Sequence, residues 1–128
     1  MPSIKVSELS GAALDWAVAQ CEGINQLIAY NSSGKDPQVL DAELVEMGFD
    51  GTATYNPSID WSQGGPIIEM NRLQLRPMRG NQWDAYAGQF GGDASGPTPL
   101  IAAMHCYVAF KLGESIDVPE PLTTKSRP

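Results

Sequence analysis

Apolar positions recur at helical spacing over residues 8–22. Leu9, Ala13, Trp16, Ala17 and Cys21, with Leu14 and Val18 alongside, make one broad face. Ser7 or Ser10 can cap this helix, and Gly23 is its stop. Ahead of it, Ile4-Lys5-Val6 alternates as a short strand. Ile24 to Tyr30 reads as a second strand that ends in the loop Asn31-Ser32-Ser33-Gly34. Asp36-Pro37 then has the form of a helix start, acid as cap and proline first. Leu40, Leu44 and Met47 follow at i, i+4 and i+7, and Gly48 closes the element.

No helical or strand period runs through Pro57 to Gly65, so Phe49 to Gly65 is expected to be loop. Pro66 to Met70 and Arg72 to Arg76 read as two strands turning at Met70-Asn71-Arg72, with Leu73 and Leu75 on one face and Arg72, Gln74 and Arg76 on the other. Gln82 to Ala87 makes a third strand, and Gly88 to Gly96 a glycine-rich loop. Thr98-Pro99 opens the strongest helix, Leu100 to Leu112, stopped by Gly113. It is apolar almost all round and must be covered on several sides, by a sheet or in an oligomer interface. Ser115 to Pro119 is a last short strand. The pattern predicts an α+β fold: a small, mostly antiparallel sheet from 67–76, 82–87 and a terminal strand, packed on helices 8–22 and 99–112. Residues 1–119 form one domain, and 120–128 a loose tail.

Composition narrows the classes. The chain has 128 residues and 42% apolar content, enough for one core without staples. Its net charge of −7 disfavours binding to nucleic acid or anionic lipid. The acidity serves solubility, or it mimics nucleic acid toward a basic host protein. Cys21 and Cys106 read as buried free thiols, which suits a reducing, cytoplasmic setting. No apolar run is long enough to span a bilayer.

Catalytic chemistry is hard to assemble from these residues. The single histidine, His105, lies inside the apolar helix, and its neighbour Cys106 diverges from it on the helix surface. One histidine and two distant cysteines do not make a zinc site. Asp50, Asp60, Glu69 and Asp84 have no calcium-loop spacing, and no phosphate-binding glycine loop stands between a strand and a helix. No catalytic residue, metal site or cofactor is therefore expected.

Recognition chemistry is better represented. In the loop 55–69, Tyr55 and Trp61 can stack a planar ring, while Asn56, Asp60, Ser62 and Gln63 around Gly64-Gly65 can read its edge. The plainer alternative is a loop pinned to the core by its own tryptophan. Arg72, Arg76 and Arg79 form the only basic cluster, and Arg72 with Arg76 suits a phosphate. They can equally pair across strands with Asp84 or Glu69. Thr98 opens a helix N-terminus that favours an anion, or it is an ordinary cap.

Several of these pieces occur together in a known pattern. Val6-Ser7-Glu8-Leu9, Ala13 to Ala19, Asp60 to Glu69, Gly96 to Met104, Cys106 to Ala109 and Lys111-Leu112-Gly113 resemble the NinX-like phage proteins, small proteins of tailed phages and prophages. His105 stands where that pattern carries arginine, and Asn31 to Phe49 is longer than its usual connector. The resemblance implies a phage accessory protein made in the bacterial cytoplasm, and no mechanism. Residues and resemblance together lead to one expectation: a non-enzymatic protein that sequesters a small anionic nucleotide-like ligand of host anti-phage signalling, as a homo-oligomer. The alternative is an acidic inhibitor or modulator of a host or phage enzyme.

Overall fold

The computed structural model describes residues 3–30, 37–48, 54–88, 93–119 and 122. The loop Asn31 to Gly34, the Asp36 cap and all of 120–128 except Leu122 lie outside them. The fold is α+β. Strand β1 (Ser3–Lys5) and a single 3-10 turn lead into helix α1 (Gly11–Glu22). Ser10 holds the N-cap position, and Gly23 stops the helix in the left-handed region at φ 71°, its N–H reaching back to Ala19 and Gln20.

The next two elements correct the sequence expectation. β2 (Gln26–Tyr30) pairs antiparallel with β3 (Pro37–Asp41), where a helix beginning at Asp36-Pro37 was expected. The helix, α2, is only Ala42–Glu46 and is capped by Asp41, whose Oδ1 accepts from Glu43 N at 3.0 Å. The Asp-Pro signal is local, whereas the strand gains a ladder with β2 and buries Val39.

A second correction concerns residues 61–71. They form helix α3 (Trp61–Asn71), not a loop followed by a strand. Asp60 caps it, and Gly64 and Ile67 bury its inner face. Pro66 lies inside the helix, where its missing N–H forfeits one ladder bond. The cap and the tight packing of Gly64 outweigh that loss. An added Cβ on Gly64 would stand 2.5 Å from the Pro57 carbonyl oxygen and 2.6 Å from Leu100 Cδ2.

Strands β4 (Gln74–Pro77), β5 (Trp83–Tyr86) and β6 (Asp93–Gly96) form one antiparallel sheet in the order β4-β5-β6. β6 falls in the stretch expected to be glycine loop. β7 (Ser115–Asp117) does not join this sheet but pairs with β1. The single sheet foreseen is thus three small antiparallel sheets among the described residues.

Helix α4 (Pro99–Leu112) is the centre of the fold, packing on β4, β5 and β6, on β7, on α1 and on α3, while the β2–β3 pair packs on α1 through β3. Its run from Ala102 to Val108 is buried throughout, as a helix without a polar face requires. Val118 and Leu122 close the core at 0% exposure, so the segment expected to be a loose tail places one side chain in the interior. No described helix is long and apolar enough to cross a membrane.

Candidate functional site

The residues expected to read a ligand divide once the chain is folded. Asp60 Oδ1 accepts from Ser62 N at 2.9 Å and from Ser62 Oγ at 2.7 Å, a helix cap. Gln63 Oε1 accepts from Asn56 N at 2.6 Å, and its Nε2 donates to Thr54 O at 2.8 Å, tying the preceding loop to α3. Gly64 is a close-packing point, and Gly65 lies beneath the indole of Trp61, 3.9 Å from where a Cβ would stand. Trp61 is 53% exposed at the first position of the helix, which does not fit a tryptophan pinned to the core.

The arginines also part. Arg72 ends α3 in the left-handed region at φ 54°, so it does not share a strand face with Arg76. Arg76 on β4 hydrogen-bonds Asp84 across the sheet and lies 3.8 Å from Asp93. Those carboxylates hold its guanidinium above its ordinary range, through the Asp84 hydrogen bond first. Thr98 is a cap: its Oγ1 accepts from Ile101 N at 3.1 Å. Trp61, Arg76 and Thr98 line none of the three cavities that follow.

The first cavity, about 380 Å³, lies where the end of α1, the segment before α3, α3 itself and the last turns of α4 converge. Tyr55 reaches it because Tyr55 N donates to Val39 O at 2.7 Å, laying that segment along β3. Tyr107 and Lys111 come from α4, one turn apart, and Gln63, Ile67 and Asn71 from one face of α3. Tyr107 Oη donates to the Glu22 carboxylate from α1, and Asn71 Nδ2 donates to Ile67 O at 2.8 Å. Lys111 Nζ lies 5.9 Å from the ring centroids of both Tyr107 and Phe110, a cation–π position.

Burial, reinforced by Glu22, raises both Tyr55 and Tyr107 above the ordinary phenol range, so each keeps its proton as a donor. The same two causes push the nearby Cys21 thiol up to about 12. An activated nucleophile needs the opposite shift. The cavity therefore offers neutral phenols, amides, a carboxylate edge and one cation on an apolar floor.

A second cavity of about 370 Å³ adjoins the first and shares Met70, Asn71 and Lys111 with it. Leu73, Ala87 and Phe110 make its apolar surface, and Arg72 stands at its edge. A third cavity, about 410 Å³, lies beside β1, β6 and the buried ring of His105. His105 is a structural tie here: Nδ1 is 2.8 Å from Ser95 O and Nε2 is 2.7 Å from Leu9 O.

Of the expected site residues, Tyr55 and Gln63 line the first cavity and Arg72 the second. Glu22, Asn71, Tyr107 and Lys111 were not foreseen. One signal was present: Lys111 is the only charged residue in a helix otherwise nearly free of polar groups, one turn after a tyrosine.

Residues 5–111 match the family model described as Bacteriophage P22, NinX. No curated protein matches the chain.

Proposed function

The chain belongs to the bacteriophage P22 NinX family, and we propose that this phage protein works by non-enzymatic binding, holding a small nucleotide-like molecule in the tyrosine-lined cavity. The observation that carries this reading is the placement of Lys111 beside Tyr107 in a cavity that the Glu22 carboxylate also lines. A base can lie on the apolar floor with its amino edge toward Glu22. Its phosphate then meets Lys111, a cation that stands out in a chain of net charge −7. The cavity is also close to the lower end of the usual ligand-pocket range, roughly 300–1,000 Å³, which suits one nucleotide. Such a protein in the cytoplasm of an infected bacterium would withdraw a nucleotide signal from the host.

The test is retention from a nucleotide pool. The full chain is incubated with a bacterial nucleotide extract, washed and heated, and the released molecules are weighed by mass spectrometry. Release of an intact nucleotide is expected, with Lys111→Ala losing it by about tenfold or more and Trp61→Ala keeping it. Release of a chemically altered product sinks the reading in favour of a hydrolase. Retention of nothing small favours the second reading, a modulator of a host or phage protein. For that reading the exposed Ile59 (70%) and Trp61 (53%) on an acidic molecule are the relevant surface.

A further inference from the structure

We infer that the ligand has two rings joined by a phosphate, one ring in each of the two adjoining cavities, with Lys111 on the linking phosphate. This rests on the reading of the first cavity as a nucleotide site. The two cavities are nearly equal, about 380 and 370 Å³, and each is sized for one nucleoside rather than for a larger molecule. They meet at Met70, Asn71 and Lys111, so a ligand crossing from one to the other passes the ammonium group. Lys111 stands between the rings of Tyr107 and Phe110, at 5.9 Å from each centroid, and those rings belong one to each cavity. The second cavity repeats the plan of the first, an aromatic face with a cation at its edge. Phe110, which lines only the second cavity, is 37% exposed, apolar surface that a ligand confined to the first cavity would leave in water.

The conformation of Arg72 adds an independent observation. It is the only non-glycine residue among those described with a positive φ, at 54°. Glycine is the ordinary occupant of a left-handed helix end, and a long side chain is kept there at a cost. At the rim of the second cavity an arginine can stack on a base or pair with a second phosphate, which glycine cannot.

The probes are the four ribonucleoside monophosphates and the corresponding linear dinucleoside monophosphates, titrated calorimetrically into the full chain. The best dinucleotide should bind about tenfold tighter than either of its mononucleotides, or better. Arg72→Gly should bring the dinucleotide down to the mononucleotide level while leaving mononucleotide affinity unchanged, and Phe110→Leu should also remove the dinucleotide advantage. Arg72→Gly should leave Tm unchanged or raise it, which separates a binding role from a folding one. Mononucleotide binding with no dinucleotide advantage, or an advantage that survives both substitutions, overturns the inference and leaves the proposed function standing. Failure of every mononucleotide and dinucleotide to bind removes both.

Discussion

Asp15 sits in α1 at 5% exposure and accepts a hydrogen bond from Ser58 N at 2.9 Å. Burial pushes its carboxyl from 3.8 up to about 6, against the lowering effect of the Ser58 hydrogen bonds. The folded state thus holds this proton more tightly than the unfolded chain. Its contribution to stability is fully present below pH 3.8 and is lost as pH rises through about 6. Urea unfolding from pH 4 to 7 should show this decline, with Asp15→Asn flattening it and raising stability at pH 7 by about 1–3 kcal/mol. A steeper decline in the variant would contradict the assignment. At this scale the sequence was legible where the partner is close in the chain. Thr98 caps its own helix, and Arg76 meets Asp84 across a tight pair of strands. It was silent where partners are distant. Nothing near Tyr107 announces that Glu22, 85 positions earlier, will receive its hydroxyl.

Among elements, α4 and α1 were readable because their apolar runs, caps and glycine stops agree with one another. α3 was not, because Gly64-Gly65-Pro66 is turn chemistry by every local rule. What makes it helical is its fit against Pro57 and Leu100, a tertiary fact. Consequently the two glycines should behave differently. Gly64→Ala forces a methyl group against a backbone carbonyl and should cost about 1–3 kcal/mol, read as a loss of Tm. Gly65→Ala meets no atom beyond its chain neighbours closer than the Trp61 ring at 3.9 Å, but Pro66 follows it and crowds a Cβ in helical backbone, which offsets the gain in helix propensity, so its effect should stay within about 0.5 kcal/mol of zero. Equal effects would mean that α3 does not dock through Gly64. The helical state of α3 also assembles half of the site. With Gln63 read as loop, Ile67 as strand and Asn71 as turn, the three stood on no common element, whereas the helix brings them together on one face within about two turns.

For the whole molecule, the α+β class followed from the alternation of helical and strand patterns, but the division into three sheets did not. Period-2 alternation marks a strand without naming its neighbour, so β7 could be foreseen and its pairing with β1 could not. Nor does the sequence show that residue 122 belongs to the interior, since prolines and polar residues surround it. Leu122 is 0% exposed and packs in the same core cluster as α1 and α4. Leu122→Ala should therefore cost about 2–5 kcal/mol in denaturant unfolding, as for other large-to-small changes in a core. A cost below ~0.5 kcal/mol would return the segment to the status of a tail.

The β1–β7 pair has a mechanical consequence. Ser3 lies opposite Asp117 and Lys5 opposite Ser115, so the outermost pair is nearest both ends of the chain. Tension applied to those ends would first draw Leu122 from the core and then open these hydrogen bonds one after another, like a zip, instead of loading them together in shear. The bond from Val6 N to Glu114 O would be next to feel the load. The molecule should yield to pulling at low force from its ends inward, and the helix at its centre should be the last part to give way.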